Sequence, residues 1–205
     1  MRTHRFAGPM APARPALGAA FLLLAAAAPG VAVTGMVLEA APPHGGPPTE
    51  GMVPSSPAFV HYGLIPRIHT CEGASVSPPL DILGIPAGAA SLALIMADPD
   101  VPSSALPVMN FTHWLVWDMP VQAGEVHFAE GARPAGSTQG AAYQGPCPPV
   151  PEDAHRYHFE FHALDATLGL PSGANRAALE TAMQGHILET ATLVGLYDRS
   201  IPGVD

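Results

Sequence analysis

Asp98-Pro-Asp-Val-Pro followed by Phe111-Thr-His-Trp, and Gly145-Pro-Cys-Pro-Pro followed by His155-Arg-Tyr, decide how this chain is read. Each stretch joins a proline-rich turn, stiff because proline fixes φ, to a histidine in apolar, aromatic-rich sequence. Two such turns can face one another across a small pocket. Between them and around them lie strands. Ser91-Leu-Ala-Leu-Ile-Met-Ala is apolar on both faces, as a central strand covered on both sides has to be. Trp114–Trp117, Tyr157–His162 and Thr192–Tyr197 read as further strands. From Phe59 onward short apolar runs alternate with turn signals at Pro78-Pro79, Pro86, Pro99, Pro102, Pro120 and Gly145-Pro146, the spacing of an all-β sandwich. One helix stands out. Ser172 or Asn175 caps it, and Leu179, Met183 and Ile187 form an apolar stripe packed on the sandwich, with Gly185 as a weak point.

The charge is unevenly placed. All 17 acidic residues lie at Glu39 or later, there is no lysine, and three of the eight arginines (Arg2, Arg5, Arg14) sit at the start. An acidic domain of this kind lacks the cations that displace counterions from nucleic acid, which excludes DNA and RNA as partners. Residues 1–33 read as a signal peptide or an N-terminal anchor: three arginines, an Ala/Leu-rich run from Ala16 to Ala28, then Pro29-Gly30 and small residues suited to cleavage. The run is too short to span about 30 Å as a helix, but extended through Leu38 it reaches that length, so any membrane contact is through an uncleaved leader. Either way the domain is exported, periplasmic or secreted. Residues 34–57 read as a disordered Pro/Gly-rich tether, leaving 58–205 as one domain.

Period-two alternation decides which side chains act together. In the strand that begins at His155, the side chains of His155, Tyr157, Phe159 and Phe161 share one face, and those of Arg156, His158, Glu160 and His162 share the other. The second set has a spacing that can take a metal, though a strand face of that composition is more often simply solvated. Asp98 and Asp100 end a buried strand, where carboxylates are costly unless paired or open to a cleft. His113 lies between Phe111 and Trp114, in surroundings that suit a core histidine as well as a ligand contact. Cys147 beside His155 suggests a cysteine nucleophile, but it stands between two prolines that supply no N–H to an oxyanion hole.

From about Ile65 to Arg199 the chain resembles the phosphatidylethanolamine-binding protein family, in its bacterial Raf-kinase-inhibitor-like branch, with both motif blocks in order. The resemblance implies an antiparallel, Greek-key-type β-sandwich with one or two short helices, no cofactor, no resident metal and no catalytic turnover. It implies a small anion-binding cavity lined by Asp98, His113, His155 and Tyr157, with the turn from Gly145 to Pro149 as a second wall, Gly145, Pro146 and Pro148 foremost in it, and Asp100 beside it. The ligand expected is a small anionic or zwitterionic phosphate, with imidazolium groups and the tyrosine hydroxyl on phosphate and Asp98 on an ammonium. Exported members similarly carry cysteines at the positions of Cys71 and Cys147, and in an oxidising compartment the only two cysteines of a chain pair as a disulfide. Two departures stand out. Val150-Pro-Glu-Asp-Ala replaces a glycine-containing turn, giving a stiffer, more acidic rim that repels anionic lipid, and the chain ends at Asp205, soon after the last strand, which predicts an open site. Arg156 is expected to pair with Asp100. The alternative function is a protease or kinase inhibitor with a vestigial pocket, acting through the segment from Gln122 to Gln144.

Overall fold

The structure, a computed structural model, describes residues 51–101 and 110–201. The expected leader, the tether up to residue 50, and Pro102 lie outside the described residues. The fold is built around the apolar run read above. It forms β4 (Ser91–Asp98), in which every residue is buried, flanked by β5 (Phe111–Pro120) and β8 (His155–Leu164) in antiparallel register. The remaining strands are β1 (Val53–Ser55), β2 (Gly63–Leu64), β3 (Leu80–Leu83), β6 (Val126–Phe128), β7 (Thr138–Gln139) and β9 (Ile187–Tyr197), with one helix, α1 (Arg176–Met183), and a 3-10 turn at Arg67–His69.

Two sheets result, one of six strands in the order β2-β9-β8-β4-β5-β7 and one of three in the order β1-β3-β6. Among the described residues all strand pairings are antiparallel, as expected of the sandwich, except the two-residue pairing of β2 with β9, which is parallel. Leu80 and Ile82 of β3 and Val126 and Phe128 of β6 join Leu94, Met96, Trp114, Phe159 and Phe161 in the core between the sheets. The opposite face of the large sheet carries Ala93, Ile95, Leu115 and Trp117, covered by Leu179 and Met183 of α1. Covering on both faces is why β4 tolerates no polar residue before its ends.

Four sequence expectations change here. Val53–Ser55 pairs with Leu83–Asp81, so the domain begins before residue 58 and the tether does not reach 57. Gln122–Gln144 is no free loop: β6 pairs with β3, β7 pairs with β5, and Gln139 accepts a hydrogen bond from the Trp114 indole (3.1 Å). Ile187 leaves the helical stripe and opens β9, 46% exposed. The helix stops because Gly185 takes the left-handed conformation (φ 81°), where a residue without Cβ is at no disadvantage. Asn175 is its cap, accepting from the Ala178 N–H at 2.9 Å, while Ser172 donates instead to the Gln139 carbonyl.

Cys71 and Cys147 form a disulfide (Cα–Cα 5.4 Å, 76 residues apart). Constraining the unfolded chain over a loop of this length contributes up to about 4.5 kcal/mol. Reduction should therefore lower the denaturant midpoint without changing the secondary structure at low temperature; equal midpoints with and without reductant would contradict this.

On the helix-covered face, burial holds the His162 pKa below the ordinary histidine value, with Arg176 acting in the same sense and Glu180 against. The neutral ring is favoured in the fold, so the unfolded chain binds more protons in acid. Stability present above about pH 6.5 should be lost as pH falls through the depressed folded value. His162→Gln should flatten the slope of melting temperature against pH between 7 and 5, and an unchanged slope would show that His162 has no part in it.

Candidate functional site

Asp98, at the end of β4, is where the two motif blocks meet. A carboxylate this deep needs donors, and the described residues supply two: the backbone N–H of Asp100 on Oδ1 (2.9 Å) and His155 Nδ1–H on Oδ2 (2.7 Å). His155 is the first residue of β8, and alternation puts Tyr157 on the same face beside it, as expected. The histidine that alternation alone misplaces is His113. Met96 pairs with Trp114 and Ala97 with Thr112, so His113 is the extra residue of a β-bulge with no partner on β4. The bulge turns it away from the helix-covered face and onto Tyr157, ring centroids 5.2 Å apart, edge to face.

The second wall is pinned from behind. Gly145 donates to Ser75 Oγ (3.0 Å), Pro146 accepts from the Cys71 N–H (3.1 Å), and Cys147 is held by the disulfide. A Cβ on Gly145 would come within 2.7 Å of the His69 carbonyl, so the turn can lie this close only with glycine. Gln144 accepts at its carbonyl from His113 Nδ1–H (2.7 Å) and ties the bulged histidine to this wall.

The result is a narrow cleft of about 30 Å³ lined by Asp98, Val101, Phe111, His113, Gln144, Cys147, Pro148, Pro149, His155 and Tyr157. Asp98, His113, Pro148, His155 and Tyr157 are thus brought together. Asp100, Gly145 and Pro146 are not among the lining residues. Asp100 instead takes the backbone N–H of Arg156 (2.7 Å) and its Nε–H (3.0 Å), the pairing expected of it, and this guanidinium holds its carboxyl below the usual carboxylate range. Gly145 and Pro146 stand behind the wall and shape it. The open site expected from the chain's end turns on residues outside the described ones; at the base of the cleft Asp98 is 3%, and His113 and His155 are each 5% exposed. Pro149 ends the turn expected as the second wall, while Val101, Phe111 and Gln144 escaped the sequence reading as lining residues, although all lie within or beside the two motif blocks.

The electrostatics also depart from expectation. Burial pushes the His113 pKa down, further helped by His155, and outweighs the Gln144 carbonyl and Asp98, so His113 is neutral at pH 7 rather than the expected imidazolium. With Nδ1 carrying the proton for Gln144, its Nε2 is an acceptor. Burial and the charge of Asp98 raise the Tyr157 pKa, which keeps the phenol a donor. The Cys147 backbone is near enough to act on that hydroxyl but not in hydrogen-bonding geometry, and Tyr157 Oη has no partner among the described residues. Cys147, oxidised, offers no thiolate for nucleophilic chemistry. No group of three or more His, Cys, Asp or Glu side chains among the described residues is arranged to hold a metal ion, His158, Glu160 and His162 included.

The comparisons agree with this architecture. A family model described as phosphatidylethanolamine-binding protein matches residues 55–198. The UPF0098 protein of Pyrococcus abyssi is 42% identical over 160 residues, covering 73% of this chain and 87% of its own. The UPF0098 protein of Chlamydia trachomatis serovar D is 41% identical over 150 residues, covering 71% and 97%. Among solved structures, the phosphatidylethanolamine-binding protein homologue CT736 from Chlamydia trachomatis matches with a TM-score of 0.66 at 37% identity, over 73% of this chain and 98% of that one. YbcL of E. coli shares the fold, with a TM-score of 0.63 at 24% identity over 72% and 98%. By family model, relatives and fold together, the chain belongs to the phosphatidylethanolamine-binding protein family.

Proposed function

We propose that the protein is a non-catalytic binding protein whose cleft takes the phosphorylated end of a small head group, phosphoethanolamine-like in its chemistry. The observation that carries this is the buried hydroxyl of Tyr157, a proton donor at the cleft wall without a protein partner among the described residues. Leaving such a group unpaired costs about 1–3 kcal/mol, a cost that a bound phosphate oxygen removes. His155 stands beside it, oriented by Asp98, and the neutral His113 offers an acceptor. The cleft is narrow, about 30 Å³, so only the tip of a ligand enters it and the rest stays outside.

The domain acts outside the cytoplasm. The disulfide belongs to oxidising compartments, and no helix among the described residues is long and apolar enough to cross a membrane. The alternative, a segment inserted into a protease, has within 122–144 the exposed stretch 129–136 to offer, since the strands on either side of it are bound into the two sheets.

Calorimetry with phosphoethanolamine on the wild-type protein, Tyr157→Phe and His155→Ala should give saturable binding, weakened about tenfold in Tyr157→Phe (about 1.4 kcal/mol) and lost in His155→Ala. Tyr157→Phe should melt no lower than wild type, because the hydroxyl it removes has no structural bond to lose. No binding by the wild type, or equal binding by Tyr157→Phe, would end this reading.

A further inference from the structure

We propose that the Cys71–Cys147 disulfide is a reversible modification site, and that thiol–disulfide exchange there with an external dithiol loosens one wall of the cleft and switches ligand binding off. The effect on binding rests on the head-group reading above.

Both half-cystines are exposed, and so are the residues from Glu72 to Ser75 that follow the first of them. A reductant therefore reaches the cross-link without unfolding the domain. Neither cysteine lies in a strand or among the buried apolar residues, so breaking the bond cuts no sheet and empties no core. Cys147 nevertheless lines the cleft. A cross-link that is exposed, outside the core and part of the site acts on binding as well as on stability.

The wall divides at Pro146. Behind it, the Tyr143 hydroxyl donates to the His69 carbonyl (2.7 Å), the Gly145 N–H to Ser75 Oγ (3.0 Å) and the Cys71 N–H to the Pro146 carbonyl (3.1 Å). In front of it, Cys147, Pro148 and Pro149 supply the surface that a ligand meets. Two of these three have no N–H to donate. The one hydrogen bond they make among the described residues is local, from the Glu152 N–H to the Pro149 carbonyl (3.0 Å). What ties the front of the wall to the segment 69–75 is the disulfide.

Exchange runs in two steps. A thiolate of the dithiol bonds to one cysteine sulfur while the Sγ–Sγ bond breaks, and the other cysteine leaves as a thiolate and takes up a proton. The second thiol of the reductant then loses its proton and displaces the first cysteine from the mixed disulfide. Both cysteines end as thiols, and the reductant ends as a disulfide, two electrons poorer. The Cys147 backbone, close enough to act on the Tyr157 hydroxyl in the oxidised protein, is then free to move away from it.

The test compares the native protein, oxidised and after treatment with dithiothreitol at low temperature. Reduction should proceed at a rate proportional to dithiothreitol and unchanged by denaturant below the unfolding transition; a rate that follows global unfolding would overturn the proposal. Hydrogen exchange in peptides spanning 143–153 should then quicken about tenfold or more, while β4, β8 and β9 keep their protection. Unchanged exchange there, or lost protection throughout, would reduce the disulfide to a structural brace. Calorimetry with phosphoethanolamine should show affinity about tenfold weaker in the reduced protein and restored by reoxidation, because the wall is no longer preorganised. In the double variant Cys71→Ser, Cys147→Ser, binding should be weak from the start and indifferent to dithiothreitol. Equal affinity in the oxidised and reduced proteins would refute the switch and leave the head-group reading standing. No binding by the oxidised protein would end that reading and the binding half of this proposal together, while the exchange data still decide whether reduction loosens the wall.

Discussion

A strand buried along its whole length, ending in a carboxylate that is also buried, is the constraint on which the rest of this structure depends. β4 is covered by the small sheet on one face and by α1 on the other, and Asp98 is carried into that interior with it. A carboxylate at 3% exposure survives only with donors around it. One donor is local, the Asp100 N–H. The other must come from another strand, and His155 supplies it at the start of β8, which β4 pairs along most of its length. The need to satisfy one buried charge therefore fixes where β8 begins, which way its first ring points and which residue follows it two positions on. The cleft is a by-product of that requirement, and the Tyr157 hydroxyl is left over from it.

The opposite wall obeys a different logic. Proline-rich chain offers few donors, so the Gly145–Pro149 turn is fixed mainly by what other segments give it: the Cys71 N–H, the Ser75 hydroxyl, the disulfide and the packing space that only Gly145 leaves free. Tyr143 adds a hydrogen bond to the His69 carbonyl (2.7 Å). All of these reach the same stretch, 69–75, so a short segment without regular strand serves as the foundation for one side of the site.

Much of this is legible in the sequence where periodicity governs. The apolar run of β4, the His155/Tyr157 phase and the Asp100–Arg156 pair follow from burial and alternation. His113 is reached only through the family resemblance, because the bulge that turns its side chain has no signature in the order of residues. β1 is missed because Val53 is 48% exposed and Pro54 sits on an edge strand, giving no apolar alternation to read. Ile187 misleads in the opposite sense, with helical spacing in a residue that belongs to a strand. The proximity of Glu152 to His155 depends on how a turn closes, which composition shows only as an acidic rim.

The cross-link also changes the effective length of the chain. The Tyr197 hydroxyl donates to Glu72 from 125 residues away, among the most distant contacts in the molecule. Glu72 is next to Cys71. Once Cys71 and Cys147 are joined, the covalent path between those partners shrinks to less than half, and β9 can find the first part of the domain after a much shorter search. Because loop closure precedes the reward of long-range pairing, such a shortcut shifts the order of assembly toward late strands docking on an already tethered core. For a chain of this topology, the compartment that oxidises the cysteines also sets how quickly the last strand closes the large sheet.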